Sequence, residues 1–327
     1  MILTERRASM ENTALRYRQF GEPESVLQRE ISEKAPLQQG MLRVQMRLAP
    51  VNASDLIPIT GAYRHRITLP AIAGYEGMGQ VIAASDGAAL LPGQRVLPLR
   101  GEGTWQQYVD CPAALAIPVP DFVEDALAAR AFINPMAAWL MLNLWPVQGK
   151  RVLLTAAGSD CAILLGQWAQ RRGATAVYGI HRSAIHADRL RAMGIVPVAQ
   201  QDSDTVRALA ASSDIVYDAT GGELAQTILS SMRSSATFVC YGLLSGQPFS
   251  LQRHFPPTHW FHIRNHFAAL SPQAWQAAFS EIWPLLAESQ YSDAMLIPFS
   301  AWPSALAGYR RAGRTHKPLL DFTRDNP

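Results

Sequence analysis

The fold of this chain is decided by the stretch Arg151-Val-Leu-Leu-Thr-Ala-Ala-Gly-Ser-Asp-Cys-Ala162. A short apolar run leads into a turn of small residues and then into a helical pattern, so we predict strand, turn and helix. About twenty residues further on, the next apolar run ends in a basic residue, Arg182. NAD-binding proteins place an acid there, whereas a guanidinium can pair with a 2′-phosphate. The pattern therefore predicts a dinucleotide site and favours NADPH over NADH.

The predicted phosphate turn departs from the usual glycine spacing. Asp160 is the awkward residue, because a carboxylate beside a diphosphate is repelled unless it points away. Ala162 is still small enough for close packing of helix on strand. Arg182 has two interpretations, a phosphate ligand or a solvated surface residue. The candidate cofactor-binding residues here are Gly158, Ser159, Asp160, Cys161, Ala162, His181, Arg182 and Ser183.

Strands and helices alternate from Lys150 to about Gly242. This alternation predicts a parallel, doubly wound sheet with helices on both faces. An Ala- and Leu-rich helical stretch, Asp125 to Trp145, precedes it, and Asn134-Pro135 marks a helix start. We predict strands at 151–156, 176–180, 196–199, 214–218 and 236–241, and helices at about 162–172, 184–193, 203–212 and 222–232.

The flanking regions have different patterns. From Thr13 to about Pro120, short alternating apolar runs broken by Gly and Pro indicate an antiparallel, barrel-like β domain. An amphipathic helix is predicted from Ser271 to Glu288, and a final helix and strand from Tyr309 to Phe322, which we expect to rejoin the first domain. The runs that predict the first strands are 42–48, 79–83, 95–98 and 105–109.

Composition narrows the functional class. The 327 residues suit two domains, and the net charge of +3 is too small to indicate nucleic-acid binding. The three cysteines, scattered and odd in number, fit a reducing cytosol better than a disulfide framework. No apolar run is long enough for a membrane span, and the start has no secretory pattern, so we expect a cytoplasmic protein. We expect the first ten residues to form a loose extension.

A series of motifs carries a family resemblance from Thr13 to Phe322. The chain resembles the zinc-independent medium-chain dehydrogenases/reductases, and within them the 2-enoyl thioester reductases, with quinone oxidoreductases as neighbours. The resemblance implies an α/β fold with a GroES-like β-barrel catalytic domain (1–130), a Rossmann NADPH-binding domain (131–270) and a C-terminal segment (271–327) that returns to the catalytic domain. The motifs are 50–56 (PVNASDL), 61–63 (GAY), 69–70 (LP), 74–77 (GYEG), 103–105 (GTW), 134–142 (NPMAAWLML) and 241–248 (YGLLSGQP).

Residue types at two positions argue against zinc. Zinc alcohol dehydrogenases have Cys at the Asn52 position and His at the Tyr75 position, and neither residue here offers a thiolate or imidazole. The structural zinc lobe needs four cysteines, more than the chain contains. We therefore predict no metal, and we interpret His65, His254, His259, His262 and His266 as structural histidines.

Reduction of an enoyl thioester without metal requires organic groups. Hydride from the nicotinamide attacks Cβ, and Cα then takes a proton from a donor such as a hydroxyl. Tyr63 occupies the position of the family's catalytic tyrosine, and Asn52 could orient the nicotinamide or ribose. Asp55 is expected to hold its loop by local hydrogen bonds. Trp105 is a pocket or a core residue, and Asn134 a nicotinamide contact or a helix cap with Pro135 following. Tyr241 and Gly242 end the fifth predicted strand, where the carboxyl edge of the sheet meets the cofactor, and Lys317 is similar to a family lysine or polar residue that reaches the cofactor.

Three functions stay open at this point. The first is NADPH-dependent reduction of a trans-2-enoyl thioester carried on CoA or acyl carrier protein. The second is NADPH-dependent reduction of a quinone or enone, and the third a non-catalytic NADPH-binding protein. The substrate is expected to be a small molecule. The family also implies a homodimer in which the last Rossmann strand, within Thr237 to Leu251, pairs across a two-fold axis.

Overall fold

Alternate residues of Met41–Pro50, from Leu42 to Leu48, are apolar and buried, and this run forms the longest strand of a seven-stranded sheet. The computed structural model describes residues 10–324, which divide into two compact units. Unit 1 contains the chain up to Arg130, residues 272–279 and the chain from Asp293. Unit 2 contains Ala131–Ser271 and Ser280–Ser292. The functional domain boundaries predicted at residues 130 and 270 stay a proposal.

Unit 1 is built mainly from strands in its N-terminal part, as predicted. Its elements up to Arg130 are β1 (Glu11–Tyr17), α1 (Pro23–Val26), β2 (Gln28–Glu33), β3 (Met41–Pro50), α2 (Ala53–Leu56), β4 (Ala71–Ile72), β5 (Met78–Ala84), β6 (Arg95–Leu97), β7 (Tyr108–Pro112), β8 (Ile117–Pro118) and α3 (Asp125–Ala128).

The predicted run at 105–109 is shifted in the structure. Trp105 and Gln106 lie before β7 because their backbone pairs with β1: the Leu15 N–H donates to the Trp105 carbonyl over 2.9 Å, and Ala14 bridges Gln106. The chain turns to β3 at Gln107, whose carbonyl accepts the Met46 N–H over 2.8 Å, and from Tyr108 it pairs with β3 in regular antiparallel register. Trp105 is fully buried and belongs to the core of unit 1.

Unit 2 alternates strands and helices as the sequence predicts. Its elements are α4 (Ile133–Leu144), β9 (Arg151–Leu154), α5 (Asp160–Arg171), β10 (Ala176–His181), α6 (Ala187–Ala192), β11 (Val196–Ala199), α7 (Ser203–Ser212), β12 (Ile215–Asp218), α8 (Gly222–Ser231), β13 (Thr237–Cys240) and β14 (Thr258–Trp260). All five predicted strands are present. The doubly wound parallel sheet is confirmed, with the order β11-β10-β9-β12-β13-β14.

The structure corrects three details of the unit 2 prediction. The stretch 125–145 is two helices, α3 and α4, and not one. Helix α4 begins at Ile133, so Asn134 is its second residue and not the cap, which is Phe132. Pro135 is accommodated inside the first turn, where backbone N–H groups have no helical acceptor. The predicted edge strand β13 pairs on both sides, and the edge is the unpredicted strand β14.

The C-terminal part supplies the remaining elements. They are α9 (Pro272–Ala287), β15 (Asp293–Pro298), α10 (Trp302–Arg310) and β16 (His316–Asp321). The final helix therefore ends near Tyr309, where the prediction began it, and β15 was not predicted. Strand β16 pairs in parallel with β15 and antiparallel with β3, which completes a seven-stranded sheet in unit 1. The C-terminal strand thus belongs to unit 1.

Two expectations concern the ends and the membrane. The loose extension predicted for the first ten residues lies, except for Met10, outside the described residues. Between residues 10 and 324, no helix combines the length and the apolar character that crossing a bilayer requires.

Candidate active site

The strand order of the parallel unit 2 sheet reverses between β9 and β12, and a buried carboxylate lies at this switch point. Asp218 ends β12; its Oδ1 accepts a hydrogen bond from the Thr155 hydroxyl over 2.6 Å. Its Oδ2 accepts the Gly221 N–H over 2.9 Å. Burial raises the pKa of Asp218, and these donors oppose the rise. Because ligands of doubly wound sheets bind beyond the strand ends at the switch point, the hydrogen bonds shape the floor of a ligand site.

The turn after β9 has the shape required for close approach of a phosphate. Ala156 adopts a left-handed conformation with φ 46°, and Ser159 caps α5 by accepting the Ala162 N–H. A Cβ on Gly158 would lie 2.7 Å from the His186 ring, so only glycine allows that ring to pack on the turn. The amide groups that begin α5 thus face an anion-binding position.

Asp160 is turned into the protein. Its side chain is buried, and its Oδ1 accepts a hydrogen bond from the Ser292 hydroxyl over 2.5 Å. The carboxylate that was expected to repel a diphosphate therefore points away from the turn, toward the Ser292 hydroxyl. Its position in the first turn of α5 is also favourable for the helix dipole.

Tyr241 and Cys161 are brought together beside the phosphate turn. The Tyr241 phenol lies next to the Ser159 hydroxyl and the Cys161 thiol. Burial raises the pKa of Tyr241 well above its usual range, and burial followed by the charge of Asp160 raises that of Cys161. Both groups stay protonated near neutrality, so Cys161 fills space and is not a reactive thiol. Gly242 follows directly after Tyr241 at the end of β13.

The end of β10 presents the predicted basic group. Arg182 is exposed and forms no ion pair with any residue between 10 and 324. His181 is buried, and within the same described range its Nδ1 has no hydrogen-bond partner. Ser183 is half-buried at the start of the following turn. An unsatisfied buried nitrogen and an available guanidinium fit the adenosine end of a phosphorylated dinucleotide.

A second group of predicted residues lies in unit 1, around Asn52. The Asn52 side chain is buried, its Oδ1 accepts from the Lys317 ammonium over 2.5 Å, and its Nδ2 donates to Glu76 over 2.8 Å. The Lys317 ammonium also lies 5.6 Å from the centre of the Tyr309 ring. Lys317, on β16, is therefore the partner of Asn52, a contact that the sequence did not predict.

Asp55 holds this region together, as expected from the sequence. Its Oδ2 accepts the Asn52 N–H over 2.8 Å and its Oδ1 the Tyr75 N–H over 2.9 Å. Burial and the nearby Glu76 carboxylate raise the pKa of Asp55 to about 7, against the lowering effect of its backbone donors and Lys317. One carboxylate thus joins the loop before α2 to the loop before β5.

Tyr63 lies in the turn that follows Gly61. It is half-buried, and the Arg66 guanidinium lies 5.7 Å from the centre of its ring. Gly61 has φ 94°, and a Cβ there would meet Arg64 at 3.0 Å and Phe20 at 3.1 Å. Glycine therefore lets the chain turn and places Tyr63 beside the basic residues that follow it.

Comparison with known proteins identifies the family. Residues 38–121 match the alcohol dehydrogenase GroES-like domain. A solved structure from Bacillus thuringiensis, provisionally described as an NADPH:quinone reductase, is 31% identical and superposes with a TM-score of 0.89 over 96% of this chain and 99% of its own. The chain belongs to the medium-chain dehydrogenase/reductase superfamily.

Curated relatives of this superfamily member include enoyl reductases. The mitochondrial enoyl-[acyl-carrier-protein] reductase of Arabidopsis thaliana is 28% identical over 251 residues, which cover 73% of this chain and 67% of that protein. The human mitochondrial enzyme of the same name is 29% identical over 250 residues, covering 72% of this chain and 66% of its own length. The matched region spans about two thirds of the length of those relatives.

Trp105 and two of the histidines of this superfamily member pack against other side chains. Trp105 is in the unit 1 core, and its indole N–H donates to the Pro50 carbonyl over 3.3 Å. Of the two interpretations of this residue, pocket or core, the structure therefore agrees with the core. His259 and His266 pack against the rings of Trp145 and Phe261. Within the described part of the chain, no group of three or more His, Cys, Asp or Glu side chains is arranged to hold a metal ion.

The sequence did not predict several residues of these two groups as site residues. Glu76, Asp218 and Ser292 are buried polar residues that contact predicted site residues. Asp218 had a signal, since an acid that ends a short apolar strand lies at the ligand-binding edge of such a sheet. Ser292 had none.

Proposed function

We propose that this protein is an NADPH-dependent oxidoreductase that reduces the carbon–carbon double bond of a trans-2-enoyl thioester. The observation that carries the proposal is the side chain at position 52. Where zinc-dependent members of the superfamily have a thiolate, this chain has an amide held between an ammonium and a carboxylate. The site therefore relies on hydrogen-bond donors, and not on a metal, to polarise its substrate.

NADPH is the cofactor that fits the unit 2 residues. The turn at Gly158 and the helix N-terminus suit the diphosphate, and Arg182 suits the 2′-phosphate. The Bacillus thuringiensis relative, named for NADPH, supports the same choice. When bound, NADPH supplies the hydride of the reaction.

Tyr63 is the proposed proton donor to Cα. Its hydroxyl is protonated before the reaction and becomes a tyrosinate once the proton has moved. The Arg66 guanidinium, 5.7 Å from the ring centre, stabilises that negative charge until water returns a proton. Arg66 therefore joins Tyr63 in the proposed mechanism.

A test of this role is the Tyr63→Phe variant, with Tyr108→Phe as the matched control in the same unit. We expect kcat with an enoyl thioester to fall about a hundredfold while NADPH binds as in the wild type. Tyr108→Phe should retain normal kcat. Unchanged turnover in Tyr63→Phe would contradict proton donation by this residue.

A quinone or enone reductase is the second candidate. It is favoured by the Bacillus thuringiensis relative, the 31% identical structure that spans nearly the whole chain. Quinone reduction differs in where protons are needed, since a quinone takes them on oxygen, whereas an enoyl thioester, like an enone, takes one on carbon. A non-catalytic role would require NADPH binding without turnover of any activated alkene.

The assembly and location form a further part of the proposal. We propose a cytosolic homodimer that associates through the β14 edge of the unit 2 sheet. Trp260 on that edge is 56% exposed, and Leu244 and Leu251 between β13 and β14 are 53% exposed each. Such apolar groups beside an open strand favour pairing with a second copy. A Trp260→Lys variant should be monomeric by light scattering, whereas an unchanged mass would exclude this edge.

A further inference from the structure

The segment Glu288–Ser292 is bonded along the length of α5, the helix that begins at the phosphate turn. Arg171 donates to Glu288 over 2.8 Å, and the Trp168 indole N–H donates to the Ser289 hydroxyl over 2.8 Å. Gln167 and Gln290 exchange two bonds of 2.8 Å. At the turn end of α5, Ser292 donates to Asp160. We call Glu288–Ser292 the α5-binding segment.

The Ser292–Asp160 contact differs from the others in this segment. Both side chains are 5% exposed, whereas Glu288 and Gln290 are exposed. It also involves a formal negative charge next to Ser159, whose side chain caps the helix. A carboxylate there competes with a bound diphosphate for the positive end of the helix dipole, and repels it if the two approach.

We propose that Ser292 is a positioning residue for NADPH binding: by holding the Asp160 carboxylate in a buried hydrogen bond, it keeps that charge away from the cofactor diphosphate. The inference rests on NADPH as the cofactor of the proposed function. Without the hydroxyl, Asp160 loses a donor, and a buried carboxylate that loses a donor turns toward water or toward other N–H groups. The amides at the start of α5, the helix that begins with Asp160, are such groups, and the diphosphate also requires them.

The test compares NADPH dissociation constants of the full-length protein, measured by fluorescence titration. We expect Ser292→Ala to weaken NADPH binding about tenfold, the size of a lost hydrogen bond to a charged group. The loss should shrink at high salt, because the cause is charge repulsion near the surface. In the Asp160→Asn/Ser292→Ala double variant, most of the lost affinity should return, since the charge is gone.

The matched control is Ser289→Ala, which removes another hydroxyl of the same α5-binding segment near the opposite end of the helix. It should lower the unfolding temperature but leave NADPH affinity unchanged. Ser292→Thr should keep wild-type affinity because it retains the hydroxyl. If the alanine variant does not fold, Ser292→Cys takes its place, because cysteine is nearly isosteric with serine and its thiol is a weak donor. Ser292→Cys should also weaken NADPH binding.

Two results would overturn the proposal. One is an affinity of Ser292→Ala, or of Ser292→Cys in its place, equal to that of the wild type. The other is a double variant as weak as Ser292→Ala alone, which would mean that Ser292 acts through packing and not through the charge of Asp160. A wild-type protein that does not bind NADPH would instead contradict the proposed function.

Discussion

The Lys317 ammonium lies 2.5 Å from the amide oxygen of Asn52, a residue 265 positions earlier in the chain. Glu76 accepts from the other end of the same amide over 2.8 Å. A positive and a negative group therefore fix the orientation of one buried amide, its oxygen toward Lys317 and its nitrogen toward Glu76. Because all three side chains are buried, the charges of Lys317 and Glu76 are weakly screened, and each stabilises the other.

Removing the ammonium should destabilise the protein. We expect Lys317→Met to lower the free energy of unfolding by about 3 kcal/mol, because the buried Glu76 carboxylate loses its compensating charge. In the Glu76→Gln/Lys317→Met double variant, the cost should be smaller than the sum of the two single changes. Urea unfolding measures all three. Lys150→Met is the control, and additive costs would show that Lys317 and Glu76 do not interact.

The Asp55 carboxyl should make stability depend on pH. Its pKa is raised to about 7 in the folded protein from a usual value of 3.8. The folded state thus binds this proton more tightly than the unfolded state, so stability falls as pH rises from about 4 to about 7, by at most about 1.4 kcal/mol per pH unit. Above pH 7 this contribution stays constant.

The Asp55→Asn variant isolates this effect. It lacks the titrating group, so the stability of the wild type relative to the variant should decline with rising pH across that window. The variant itself is less stable, because one of the two backbone donors, at Asn52 or Tyr75, would face an amide NH2. Urea unfolding at several pH values measures both. A parallel pH dependence of the two proteins would contradict the raised pKa.

Arg182 should determine the choice between NADPH and NADH. We expect Arg182→Ala to weaken NADPH binding about tenfold and leave NADH binding unchanged, because only NADPH carries the 2′-phosphate. Arg207→Ala, which changes another exposed arginine of unit 2, is the control. Titration with both cofactors provides the measurement. Equal loss for the two cofactors would assign Arg182 a general electrostatic effect instead.

Local patterns predicted the unit 2 fold because each element carries its own signal. The apolar run of β9, the Ser159 cap and the small residues between them define strand, turn and helix within a dozen positions. Strand β14 was missed, since its three residues, Thr258–Trp260, include a histidine and have no apolar alternation. β15 was missed for a similar reason, being half-exposed along its length.

The contacts of the site could be predicted where the partners are close in sequence, and not where they are far apart. The Asp55 bonds to its own loop could be expected from three-residue spacing, as in a capping box. The Asn52–Lys317 and Asp160–Ser292 contacts join residues 265 and 132 positions apart, and nothing in either local sequence specifies the partner. Such pairs depend on how the sheets and helices pack.

The central claim is most directly tested by steady-state oxidation of NADPH by the purified protein. Crotonyl-CoA, a longer trans-2-enoyl-CoA and a simple quinone are compared as substrates, with NADH as the cofactor control. The proposed function predicts that the thioesters are turned over with NADPH and poorly with NADH, and that their kcat/KM exceeds that of the quinone. Turnover of the quinone alone, or none at all while NADPH binds, would contradict it.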